Sequence, residues 1–150
     1  MSEDLVLDEE LLYRSVQNRP ETLFPTVEGK LRFSSTVFND AASKISVDRA
    51  SLRESAEDAK LNNTDGIVAL YAHEIRGIGN IAVQGDKPPN YSFDVFARPI
   101  PLDNPDNHRE NLAHAQIEAS PDFVSPTRFR KLKEALARIV GTRPWVVEPS

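Results

Sequence analysis

Cysteine is absent from the 150 residues. That removes disulfides, thiolate nucleophiles, Cys-ligated zinc and iron–sulfur clusters together. Long apolar runs are missing too, since no stretch approaches the roughly 20 residues that a membrane-spanning helix requires. The opening MSEDLVLDEELL is acidic and lacks the basic region and apolar core of a secretory signal. A soluble, cytoplasmic protein is therefore expected. Excess positive charge is also lacking: the net charge is -5, which argues against generic polyanion binding while permitting a local basic face. Nucleic acid and membrane are accordingly not the expected partners.

What is present is proline, at 11 residues, beside a modest hydrophobic share of 39%. The chain is long enough for one core, and the prolines imply short elements joined by many loops. The predicted fold class is α+β. It is a single domain with a mixed or antiparallel sheet of short strands and an amphipathic C-terminal helix packed on one face. Residues 1–10 carry Glu3, Asp4, Asp8, Glu9 and Glu10 and read as a flexible acidic arm, leaving 11–150 as the domain.

Strands are predicted over 11–16, from 31 into a hydroxyl-rich bend ending at 38, over 45–47, 67–72, 80–84 and 91–97, and over 111–118. Residues 18–25 and 85–90 read as loops. Asp48 is a candidate N-cap for a helix running to about Lys60. His73, Glu74 and Arg76, followed by Gly77 and Gly79, suggest a one-turn helix or bend. The last helix is the clearest: Ser125 caps it, Pro126 opens it, and Phe129, Leu132, Leu136 and Ile139 recur at helical spacing up to Gly141. Trp145, in a terminal strand or extended tail over 143–147, is expected to close the core.

The densest group of hydrogen-bonding and titratable side chains lies between Asn104 and Ile117, with two of the three histidines, His108 and His114. Histidine exchanges protons near neutrality, so His114 is the first candidate for general acid–base work. Arg14, Ser35 and Asp48 complete a candidate catalytic set, and Arg49, Asn111 and His108 are candidate ligand-binding residues. No metal site is expected, because neither HxH nor HExxH spacing occurs, and no cofactor is implied. The exposed-face cations of the last helix, Arg128, Arg130, Lys131 and Lys133, are candidates for docking a partner protein. They lack the interleaved aromatics of a nucleic-acid surface.

Two resemblances follow from these residues. Arg14, then Ser34-Ser35-Thr36, then a later acid such as Glu74 or Glu118 weakly resembles the order found in ADP-ribosyltransferases, without their E-x-E or Q-x-E loop. That resemblance implies a nucleotide held by the arginine and hydroxyls, with the glutamate polarising a ribose. The pieces at Phe33 to Phe38, Ile45 to Leu52, Gly66 to Leu70 and Asn111 to Ile117 resemble a group of small bacterial proteins with no known activity. They imply that Ser34, Ser35, Asp48, Arg49, Asn111 and His114 share a surface.

The leading expectation is a small interaction module or subunit of a larger bacterial system, such as a defence or toxin system. The rival is a His114-dependent enzyme or ligand-binding domain acting on a nucleotide or phosphate-bearing substrate. Convergence separates them: His114, Ser35, Asp48 and an arginine around one pocket favour the enzyme. A His114 consumed by internal hydrogen bonds favours the module.

Overall fold

Four segments alternate apolar and polar residues, and in an antiparallel ladder that alternation decides which face meets the core. A computed structural model describes residues 6–17, 23–25, 31–38, 40, 44–79, 81, 92–105, 109–120, 125–142 and 145–149, with no side-chain description at 23–25, 31–33, 35 and 120. The strands are β1 (Leu11–Val16), β2 (Leu23–Pro25), β3 (Leu31–Phe33), β4 (Ile45–Arg49), β5 (Gly66–Tyr71), β6 (Ser92–Ala97) and β7 (His114–Ser120). The helices are α1 (Ala72–Arg76) and α2 (Pro126–Gly141). Five strands form one sheet in the order β5-β1-β4-β7-β6, with every neighbouring pair antiparallel. Strands β2 and β3 form a separate two-stranded ribbon. The chain is thus a single α+β domain with an antiparallel main sheet.

Directly opposite residues share a face, so the register separates two surfaces. Leu12 faces Leu70, Val95 faces Ile117, and Ile45 also faces Ile117; all are fully buried on the α2 side. The other surface carries Tyr13, Asp48 and His114 in one cross-strand row, then Ser46, Gln116 and Phe96 in the next. Strand β5 is buried from Gly66 to Leu70, matching its continuous apolar run. Its outer edge is covered by the C-terminal tail, where the Ile67 amide donates to the Val147 carbonyl at 2.8 Å. Trp145 packs so closely that a Cβ on Gly66 would stand 2.6 Å from its ring. Glycine is required there by approach, not by backbone angle.

Helix α2 buries Leu132, Leu136, Ala137 and Val140, with Phe129 and Ile139 half-buried at the margins. Ser125 caps it by accepting from the Arg128 amide at 3.2 Å, and Pro126 opens it. Its end differs slightly from expectation: Gly141 is the last helical residue, and Thr142 closes the turn by donating its hydroxyl to the Ile139 carbonyl at 2.8 Å. Among the described residues no helix is long and apolar enough to cross a membrane.

Three expectations are corrected. Asp48 caps no helix: it lies within β4, and residues 50–60 hold only the short 3-10 turns Ala50–Leu52 and Ala56–Ala59. This segment lacks a buried stripe, since Ala59 is its one buried residue, and without a face to bury a helix gains little from packing. The loop read over 18–25 contains β2. Residues 6–10 are docked, not loose: Val6 is fully buried, the Ala72 amide donates to the Glu10 carbonyl, and the His73 amide donates to the Asp8 carbonyl. Most of the strand read over 80–84, the loop over 85–90 and the first five residues lie outside the described residues.

Candidate functional site

The polar surface of the sheet ends in a cluster built from four elements. Asp48, near the end of β4, accepts from Arg53 Nε at 3.0 Å and Nη2 at 2.7 Å through one oxygen. Its other oxygen accepts from Asn111 Nδ2 at 2.9 Å. The Asn111 carbonyl oxygen in turn accepts from Arg53 Nη2 at 2.9 Å and the Ala113 amide at 3.1 Å. This closed ring uses both Asp48 oxygens and both ends of the Asn111 amide, so a strand end, a 3-10 turn and the entry to β7 are tied together.

His114 opens β7 beside this ring. The Arg98 carbonyl lies 2.7 Å from Nδ1 and can only accept, so Nδ1 carries a proton. In the neutral imidazole Nε2 then accepts from the Ser46 hydroxyl, 3.1 Å away. A hydroxyl beside an oriented histidine is the minimum arrangement of a nucleophile and its base, and among the described side chains Ser46 supplies the hydroxyl that meets it. Among the described residues no carboxylate orients His114, whose Nδ1 partner is the Arg98 carbonyl. The Ser46 amide donates to Asp40 at 2.8 Å, and its carbonyl accepts from Arg14. The Ser46 amide, the nearest donor for an oxyanion, is thus taken by the Asp40 carboxylate, and on its other side β4 is paired to β7.

Arg14 sits on the opposite, core-facing side, where β1 and β4 diverge beyond the Tyr13–Asp48 pair. Its guanidinium donates to the Val37 carbonyl at 3.0 Å, the Ser46 carbonyl at 2.7 Å and Asp40 at 3.3 Å. Burial draws its pKa below the ordinary arginine value, and the Asp40 charge and hydrogen bond oppose that shift. Arg14 therefore closes a gap in the sheet. Arg49 turns to Glu10, with Nε at 3.1 Å and Nη2 at 3.0 Å, and the same carboxylate takes the Ser51 amide and hydroxyl. Asp48, Asn111 and His114 are brought together at the junction of β4 and β7, with Arg49 at the same sheet end. Ser34 is elsewhere, accepting from the Thr36 amide and hydroxyl. Ser35 lies in the 3-10 turn Ser35–Phe38, its side chain outside those described, and His108 lies outside the described residues.

The acids proposed with Arg14 are also engaged. Glu118 pairs with Arg98 at 2.9 and 3.1 Å on the polar face. Glu74 accepts from the Tyr71 amide at 2.8 Å to cap α1. Among the described residues no three His, Asp or Glu side chains gather in a way that could hold a metal. Arg76, missed by sequence reading, binds Asp94 at 2.7 Å, Asp8 at 2.5 Å and the Val6 carbonyl. Burial lowers its pKa, but Asp94 and Asp8 together outweigh that and raise it.

The docking candidates on α2 divide. Arg128 is fully buried and presents nothing to a partner, a correction that follows from the helix turning its first-turn cation inward. Arg130 and Lys131 are exposed or nearly so, Arg130 lying 3.6 Å from Glu134. Lys133 lies over the Phe129 ring, 5.0 Å from its centroid. Lys131 and Arg138, with Ile78, Ile81 and Ile139, line an open groove between α1 and α2, remote in sequence from the His114 cluster.

Exposure adds a feature invisible in the sequence. Seven large apolar side chains are exposed among the described residues, and five of them, Leu7, Leu52, Tyr71, Leu102 and Leu112, flank one end of the sheet. Tyr71 ends β5, Leu7 precedes β1, Leu52 follows β4, Leu112 precedes β7 and Leu102 follows β6. Leu7 stands toward α1, because its neighbours Val6 and Asp8 both meet the Arg76 guanidinium that also binds Asp94 of β6. No protein-family model matches the chain, and neither a curated protein nor a solved structure matches it.

Proposed function

We propose that this chain is a protein-interaction module that docks through the end of its sheet where Leu7, Leu52, Tyr71, Leu102 and Leu112 are exposed. The observation that carries the reading is the coincidence of two properties at one place. The described polar side chains there, Asp48, Asn111 and His114, are engaged in internal hydrogen bonds, while five large apolar side chains are exposed in the segments at that end of the sheet. Grouped apolar exposure, unlike scattered single residues, is characteristic of interaction surfaces. The closed Asp48–Arg53–Asn111 ring gives that surface a rigid base, which lowers the ordering cost of binding.

The alternative, a Ser46–His114 hydrolytic pair, is favoured by the 3.1 Å contact alone. The test is affinity capture with quantitative mass spectrometry on wild type, His114→Gln and Leu102→Ser/Leu112→Ser. A protein recovered by wild type and His114→Gln but lost with the leucine variant supports docking. A partner profile indifferent to the leucines refutes it.

A further inference from the structure

Helices α1 and α2 leave an open groove of about 1000 Å³ between them. That volume is at the upper end for small-molecule sites, which are mostly apolar with a few polar groups. Ile78, Ile81 and Ile139 supply the apolar lining, each half-buried against the core. The two acids of the lining already have partners. Glu74 accepts from the Tyr71 amide at 2.8 Å, and Glu134 lies 3.6 Å from Arg130. Lys131 and Arg138, the lysine and arginine of the lining, are both exposed, and among the described residues neither has an ion pair or a side-chain hydrogen bond. They stand about 10 Å apart along α2, by the rise of a helix. His73, its ring stacked on Tyr71 at 5.4 Å, stands on the α1 side. In a chain of net charge -5, these residues make a locally cationic rim over an apolar floor.

We infer that this groove binds a small organic acid, whose apolar body lies on the three isoleucines and whose carboxylate pairs with Lys131 or Arg138. The two cations decide the charge of the ligand. An uncharged body gains the apolar contact alone, and a cationic one is repelled by the rim. This site is separate from the docking surface at the sheet end, so either can fail without the other.

The test titrates the full chain with two fluorescent probes. Anilinonaphthalene sulfonate is an apolar body carrying one anionic group, and phenylnaphthylamine is the same body without it. The sulfonate should bind about tenfold more tightly than the amine, and more weakly as salt rises. Octanoate should displace it, whereas octanol at the same concentration should not. Lys131→Gln/Arg138→Gln should weaken sulfonate binding about fivefold, the size of one or two exposed ion pairs. Arg109→Gln removes an exposed charge elsewhere, and Leu102→Ser/Leu112→Ser removes exposed apolar surface elsewhere; both should leave binding unchanged. All five side chains are exposed, so these variants stay native. Equal binding of the two probes, binding of neither, displacement by octanol as readily as by octanoate, or undiminished binding by Lys131→Gln/Arg138→Gln overturns the inference. So does a loss with Leu102→Ser/Leu112→Ser that matches the loss with the groove variant, because the probe then reports the sheet end.

Discussion

Replacing Arg14 by methionine separates a structural arginine from an anion clamp. Methionine keeps the apolar stem but removes the donors to the Val37 and Ser46 carbonyls, 3.0 and 2.7 Å away. The side chain is only 14% exposed, so water replaces those donors poorly. A charge-assisted hydrogen bond of this kind contributes about 1.5 kcal/mol or more, and losing two costs about 3 kcal/mol. The Asp40 contact adds little, because that carboxylate is accessible to water and keeps the Ser46 amide. For a chain of this length the melting temperature should fall by about 6–12 °C. Arg14→Lys should recover less than half, since one ammonium cannot reproduce the guanidinium fork. Urea unfolding followed by Trp145 fluorescence and circular dichroism measures both variants. An Arg14→Met protein within about 0.5 kcal/mol of wild type, the ordinary range for a surface substitution, would refute the reasoning and return Arg14 to the list of ligand-binding candidates.

Gly66→Ala should destabilise by about 1–3 kcal/mol, as overpacking does, and red-shift Trp145 emission as the tail is displaced; an unchanged spectrum would contradict the packing. Asn111→Ala breaks the Asp48–Arg53 ring and should cost about 1–2 kcal/mol, with a coupling to Arg53→Ala that a double-mutant cycle detects. Arg130→Glu with Lys133→Glu should leave the unfolding midpoint nearly unchanged, since both lie outside the buried stripe of α2; a large shift would mean that the helix face is assigned wrongly. A fluorophosphonate probe should fail to label Ser46, because the Ser46 amide is held by Asp40 and is not free for an oxyanion; labelling abolished by His114→Gln would establish the hydrolytic pair.

The strands with local patterns were legible in the sequence: YSFDVFA announces β6, the apolar run after the NNTDG turn announces β5, and Ser125-Pro126 marks the start of α2. Asp48 misleads because its capping preference is local, whereas pairing to Tyr13 and His114 comes from strands distant in the chain. The cluster could be guessed only in part for the same reason. His114 meets Ser46 across 68 residues, and Arg53 meets Asn111 across 58, so no spacing rule links them. Arg98 and Glu10 carry no motif at all. The exposed leucines were illegible as a group, since only the antiparallel pairing brings the segments that carry them to one end of the sheet.

The central claim is most directly tested by calorimetric titration of the captured partner into wild type, His114→Gln and Leu102→Ser/Leu112→Ser. The account predicts that His114→Gln binds as wild type does, while the leucine variant loses at least tenfold in affinity. Retained binding by the leucine variant together with loss in His114→Gln would contradict it and place the function at the histidine.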